Sequence, residues 1–311
     1  MTRLSVLLRL LTAGLAVALI FLSCASSGNQ TPAPEFDGSR ALECLVRQVS
    51  FGPRVPGSIA SADCRRYLVD FFRNLGGAVD TLQFIHDDKT TGKAVSMCNI
   101  LVRFTGSAAG PKDNYLLAAH YDSRPRAEYD PDTTRRNQAI PGANDGASGV
   151  AVLMELGNLL ATQKTRVNLD IVLLDGEDWG YPGDLNEYFL GAKAMLSRNI
   201  KGKYQFAILV DMIGDKDLTV YREEFSNKYS PKVTDLIWRT AAELKENHFI
   251  DSVGYGVQDD HLSFMTIDLP SAVIIDFIYP YWHTTQDTPD KCSSESLRAV
   301  GRVLSTILYR L

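Results

Sequence analysis

The apolar residues of this chain recur with two different periods. Helical spacing, an apolar side chain every third or fourth position, runs through residues 43–49, 59–75, 150–160, 231–244 and 293–308, and another helix begins at 191. Short strand-like runs fall between them at 78–84, 95–104, 115–119, 169–174, 206–210 and 272–275. The run at 169–174 is mostly apolar, as a strand covered on both faces requires. Punctuating residues agree with these limits. Ser58 and Ser293 can cap helices, Pro231 suits a first helical turn, and Gly76-Gly77 ends the second helix. Polar residues 86–92 are expected to form the tip between the first two strands. Strands and helices alternate, which predicts an α/β fold: a mixed, mostly parallel central sheet with helices on both faces. Residues 40–311 carry no repeat, low-complexity block or linker and are expected to form a single domain.

The N-terminus has a different character. Arg3 and Arg9 border an apolar run that ends at Ser23-Cys24, which predicts a lipoprotein-type signal peptide over residues 1–23. Cys24 would carry the lipid or mark a simple cleavage site, and residues 24–39 would form a flexible tether. The expected location is the bacterial cell envelope, with the domain exported, lipid-anchored at Cys24 and facing the periplasm. A net charge of −5 argues against nucleic acid as the main partner. Beyond the N-terminus no stretch is long and apolar enough to span a membrane. Cys44, Cys64, Cys98 and Cys292 could pair in an oxidising compartment. None lies in a Cys-x-x-Cys pattern, so they are read as structural or merely buried.

Candidate chemistry gathers where the apolar runs stop. His120 and Asp122 follow the run at 115–119, Asp175-Gly176-Glu177-Asp178 follows 169–174, and Asp211 follows 206–210. His283 comes after Tyr279-Pro280-Tyr281-Trp282, downstream of 272–275. Asp145 sits among the small residues 142–149, which let a helix start close to whatever the aspartate holds. In an open α/β sheet the carboxyl ends of the strands form the ligand edge. Carboxylates and imidazoles converging there suit a divalent cation such as zinc. Other polar residues have blander readings. His261 is a buried hydrogen-bonding or catalytic histidine, and His86 and His248 are read as surface residues. Asp175 anchors a strand–loop junction, Asp260 caps a helix, Arg124 and Arg126 are solvated or structural, and Glu155 is exposed.

Taken together, His120-x-Asp122, the segment around Asp145, Asp175-Gly176-Glu177-Asp178, Val210-Asp211-Met212-Ile213-Gly214, Asp259-Asp260-His261 and Trp282-His283-Thr284 with Asp287-Thr288 resemble the M28 family of zinc peptidases. Within it the resemblance is greatest to the glutaminyl-peptide cyclotransferases and covers roughly residues 40–311. It implies a zinc-exopeptidase-like (phosphorylase/hydrolase-like) fold and one zinc ion per chain, held by Asp145, Asp178 and His283. It also implies Glu177 as general acid/base, with Asp211 and Asp259 hydrogen-bonding near substrate and metal. Trp282 becomes a wall of the substrate pocket, and Trp179 a second wall or simple packing. His120 and Asp122 lie beside the metal in this scheme, whereas in two-zinc relatives His120 is a ligand. Asp178 stands where a glutamate is usual, one methylene longer, which leaves open which acid of the pair binds zinc.

Two features of the resemblance favour cyclase over aminopeptidase: Asp259 where aminopeptidases usually have serine, and Trp282 immediately before His283. The implied reaction converts an N-terminal glutamine of a peptide or protein to pyroglutamate and releases ammonia. The competing readings are a two-zinc aminopeptidase, with His120 and Asp211 as added ligands, and a catalytically dead peptide-capturing protein.

Overall fold

The protein is described by a computed structural model that covers residues 32–311. The expected signal peptide, Cys24 and the first part of the expected tether lie outside the described residues. Helices α1 (Gly38–Val49) and α2 (Ile59–Asn74) precede the strands β1 (Ala78–Asp88) and β2 (Lys93–Phe104). Then come β3 (Asn114–His120), α3 (Ala147–Thr162), β4 (Asn168–Leu174), α4 (Leu190–Met195) and β5 (Ala207–Asp211). A small parallel pair follows, β6 (Val220–Arg222) and β7 (Phe249–Val253), with α5 (Glu224–Tyr229) and α6 (Pro231–Leu244) between them. The chain closes with α7 (Asp260–Met265), β8 (Ser271–Ile275) and α8 (Ser294–Arg310).

The main sheet has the order β1-β2-β4-β3-β5-β8. The β1–β2 and β2–β4 pairs are antiparallel; β4, β3, β5 and β8 run parallel. This is the mixed, mostly parallel sheet that the alternating pattern predicts. The central strands are buried on both faces. Leu117, Ala119, Ile171, Leu173, Ile208 and Val210 pack into one core with α1, α2, α3, α6 and α8. Their neighbours Leu116, Ala118, Val172, Leu174 and Leu209 pack into the other with Ala192 and Met195 of α4 and Phe264 of α7. Because strand side chains alternate between faces, a strand covered on both needs an unbroken apolar run.

The parallel strands end together. His120 pairs with Leu174, and Asp211 with Ile275. One edge of the sheet therefore carries the loops after β3, β4, β5 and β8. The start of α3 approaches that edge closely. A Cβ at Gly149 would lie 2.3 Å from the carbonyl oxygen of Val210, and one at Gly146 (φ +98°) would lie 2.5 Å from that of Asp122. Only glycine fits such approaches.

Several expectations need correction. Phe36 is buried against Gly301, and Asp37 caps α1 by accepting from the Arg40 backbone, so the packed domain begins before residue 40. Strand β1 continues to Asp88, which places His86 within it. Instead of lying free on the surface, His86 pairs through Nε2 with Glu187 at 2.5 Å. Glu155 is not exposed: its side chain is 0% accessible and takes Nε and Nη2 of Arg40 at 2.6 and 2.5 Å. A carboxylate on a buried helix face is tolerated when a cation from another element reaches it, and α1 brings that cation. Cys44, Cys64, Cys98 and Cys292 are buried and unpaired.

Candidate metal centre and substrate cavity

Asp145 lies on no strand. Its position is fixed by Asp287, whose carboxylate accepts the backbone N–H groups of Asn144 and Asp145 at 2.8 and 3.1 Å. Tyr279 donates its hydroxyl to the same carboxylate at 2.8 Å. The loop after β8 thus holds the loop before α3. Burial, with Asp145 close by, pushes Asp287 up to about 7.

Asp145, Asp178 and His283 come together. Nε2 of His283 lies 3.6 Å from Oδ2 of Asp145 and 3.4 Å from Oδ1 of Asp178. Zinc bonds of about 2.0–2.1 Å place tetrahedral ligand atoms about 3.3–3.4 Å apart, so these spacings suit one ion. The buried Oδ2 atoms of Asp145 and Asp178 have no hydrogen-bond partner, and unpaired buried carboxylate oxygens call for a cation. Burial and the nearby Asp178 charge push Asp145 up to about 6. Burial opposes ionisation of Asp178 too, but His283 and Arg124 outweigh it and hold this acid at about 2. Of the Glu177–Asp178 pair, it is Asp178 that stands at ligand distance.

Two partners of this group are not among the expected site residues: the sequence reading makes Arg124 solvated or structural and gives Glu128 no role. Arg124, fully buried, donates Nη1 to Asp178 at 2.5 Å and Nε to Glu128 at 2.7 Å. Glu128 in turn faces Nδ1 of His283 at 3.4 Å. Burial works against its ionisation, yet hydrogen bonding to His283 and Arg124 holds Glu128 at about 2. The i, i+4 spacing of Arg124 and Glu128 was the one available hint.

His120, Asp145 and Asp211 form a second group with ligand atoms at metal-compatible spacing. Nε2 of His120 is 3.0 Å from Asp211 Oδ1 and 3.3 Å from Asp145 Oδ1. Burial would depress His120, but Asp211, Asp122 and Asp145 raise it well above its ordinary value, and Nε2 is hydrogen-bonded to Asp211. Asp122 sits behind, 3.5 Å from His120 Nδ1. It also accepts the backbone N–H groups of Glu177 and Asp178 at 3.2 and 3.3 Å. It therefore orients both the histidine and the loop after β4.

A cavity of about 300 Å³ opens over this edge, lined among others by Glu177, Asp178, Asp211, Trp282 and His283. Glu177 keeps 13% of its side chain accessible and approaches His120 Nδ1 no closer than 4.0 Å. Burial first, then the Asp178 charge, raise its carboxyl well above the usual range. Phe189, Met212 and His283, all lining residues, hold positive φ angles of 59°, 47° and 52°. Left-handed backbone at non-glycine residues is uncommon and concentrates at functional sites.

Other expected residues are placed differently. Asp259, not Asp260, caps α7, taking the Asp260 backbone N–H. Its Oδ2 is buried without a partner, and burial plus Asp211 push it up to about 6. Gln258, the residue before it, lines the cavity, and Asp259 does not. Trp179, expected as a wall, is not among the lining residues; its carbonyl accepts Arg126 at 3.1 Å. His261 is a buried hydrogen-bonding histidine, paired with Glu223 at 3.2 Å.

Comparison with known proteins agrees with this geometry. The sequence model of peptidase family M28 matches residues 99–308. The chain is similar to a Bacteroides thetaiotaomicron glutaminyl cyclase whose crystal structure holds N-acetylhistamine. Identity is 31% and the TM-score 0.84, over 90% of this chain and 99% of the other. A leucine aminopeptidase precursor of Bacteroides thetaiotaomicron, solved at 1.30 Å, matches with the same identity, TM-score and coverage. A probable zinc metalloprotease of Pyrenophora tritici-repentis is 32% identical over 122 residues. That match covers 39% of this chain, which spans about a quarter (24%) of the relative's length.

Proposed function

The chain belongs to peptidase family M28, and we propose that it is a zinc-dependent glutaminyl-peptide cyclotransferase. The observation that carries this reading is an asymmetry between the two candidate ligand groups. Asp145 leaves Oδ2 buried without a partner 3.6 Å from His283 Nε2, and Asp178 leaves its own Oδ2 buried and unpartnered while its Oδ1 faces His283 at 3.4 Å. In the other group, His120 and Asp211 already satisfy one another at 3.0 Å. One cation completes the first group, and the second needs none.

Asp145, Asp178 and His283 would hold the zinc, which when bound supplies Lewis acidity toward a carbonyl oxygen. The cavity, walled by Trp282 and closed behind by acids, suits a single small side chain. Glu177 lines it without belonging to either ligand group. With its carboxyl raised well above the usual range by burial and the Asp178 charge, it is suited to move a proton both ways. It accepts a proton from the substrate α-amine, the nitrogen attacks the side-chain amide carbon of an N-terminal glutamine, and Glu177 returns the proton to the departing ammonia. Ring closure within one bound residue gains from proximity and requires no water nucleophile. Asp211 lines the same cavity as Glu177, and Asp259, whose carboxyl is raised by burial and by the Asp211 charge, is a further acid next to it.

A zinc aminopeptidase is the second reading, and one observation favours it: Asp145 offers Oδ1 to the His120 group and Oδ2 to the His283 group, as a carboxylate bridging two ions would. Incubation with a glutaminyl peptide and with an aminoacyl chromogenic substrate, with and without chelator, separates the two. Chelator-sensitive ammonia release from the first alone is expected. Chromophore release from the second without ring closure would overturn the cyclase reading.

A further inference from the structure

The cavity opens onto a row of aromatic rings that continues beyond it. Trp282 stands 4.0 Å, ring to ring, from His283. Phe277 follows at 5.3 Å from Trp282, Tyr255 at 6.0 Å from Phe277, and Tyr221 at 6.4 Å from Tyr255. Trp282 and Phe277 line the cavity, together with Gly256, Val257 and Gln258 immediately after Tyr255. Tyr255 itself lies outside, 50% accessible. Tyr129, also a lining residue, packs 5.2 Å from Trp282 and is 51% accessible. Isolated exposed aromatics need no explanation, whereas a connected series leading out of a catalytic cavity marks a binding surface.

We propose that this row is an extended subsite for the residues that follow the N-terminal residue of a peptide substrate, and that it selects apolar or aromatic side chains there. The proposal rests on peptide N-termini as substrates, a premise shared by the cyclase and aminopeptidase readings. Continuity with the cavity points to the occupant: Trp282 and Phe277 line the cavity that holds His283 and are also the first rings of the row. The spacing fits as well. Side chains on one face of an extended peptide recur about every 6.6 Å, close to the ring-to-ring steps of 5.3, 6.0 and 6.4 Å. Stiff rings lose little conformational freedom on contact and offer large apolar faces. The backbone beside them is bare, since Gly254 and Gly256 flank Tyr255. A Cβ at Gly254 would lie 2.5 Å from Cβ of Tyr221, so the glycine lets Tyr221 close up beside the row.

The test uses zinc-loaded Glu177→Gln protein, which separates binding from turnover. Calorimetry compares the peptide amides Gln-Phe-Phe-Gly and Gln-Gly-Gly-Gly. The aromatic peptide is expected to bind about tenfold more tightly. Adding Tyr255→Ala should cut that ratio to about two, and Tyr255→Phe should restore it. Equal affinities for the two peptides, or a ratio indifferent to Tyr255→Ala, would overturn the subsite. Ammonia release by the unmutated chain is read on the same peptides. Selective binding through Tyr255 without ammonia from either peptide keeps the subsite and sinks the cyclase. Ammonia from both, with equal affinities, does the reverse.

Discussion

Oε1 of Glu128 lies 3.4 Å from Nδ1 of His283, on the side of the ring away from Asp145 and Asp178. The same carboxylate accepts Arg124, whose Nη1 grips Asp178. One ion pair thus orients two of the three candidate zinc ligands. Groups that bind the far nitrogen of a ligating histidine fix its tautomer and ring angle, and losing them typically costs 10–100-fold in metal affinity. Glu128→Ala is therefore expected to weaken zinc binding by roughly 10–100-fold, measured by competition with a chromophoric chelator. An unchanged affinity would show that Arg124 and packing hold His283 unaided.

Glu177→Gln keeps the shape of the side chain and removes its ability to take a proton. Turnover should fall by about 10²–10⁴-fold, with zinc content still near one per chain by elemental analysis, because Glu177 stands outside both ligand groups. Loss of zinc along with activity would make Glu177 a ligand, and retained activity would remove it from the chemistry.

His120 divides the one-metal and two-metal readings. Its Nε2 is bonded to Asp211 at 3.0 Å, and its Nδ1 faces Asp122 at 3.5 Å. His120→Ala should leave zinc stoichiometry at about one while slowing turnover, since Asp211 loses its hydrogen bond to the imidazole. A drop from two zinc ions to one on this substitution would establish the bridged centre instead.

Glu223 supplies a stability test away from the metal. Burial alone would raise it, but hydrogen bonds from His261 and Ser226 hold it at about 2, below its ordinary 4.5. A depressed carboxyl contributes stability that is complete above the unfolded value and is lost as pH falls through the folded one. That contribution should fade between about pH 4.5 and pH 2. Glu223→Gln should cost about 2 kcal/mol at pH 7 and show a shallower pH slope in that window, both read by denaturant titration. Identical slopes for variant and parent would show that the pair carries no such linkage.

The sequence by itself determined the order of elements, because strand and helix periods are written in near neighbours. Helix α6 occupies the residues 231–244 that the spacing predicts, and Ser293 caps α8 by accepting from the Ser296 backbone. It also placed His120 and Asp211 at strand ends, since parallel strands ending in step bring terminal residues to one edge. β6, α5 and α7, three to six residues long, were not legible because, unlike the equally short β5 and β8, they carry no unbroken apolar run. Only the tertiary structure decided which charges are buried and what they meet. Glu155 finds Arg40 across 115 positions and His86 finds Glu187 across 101, while Glu128 turns inward to His283. Whether a carboxylate can leave water depends on a counter-charge or donor arriving from another element. That meeting is a property of the packed chain, and spacing along the sequence does not encode it.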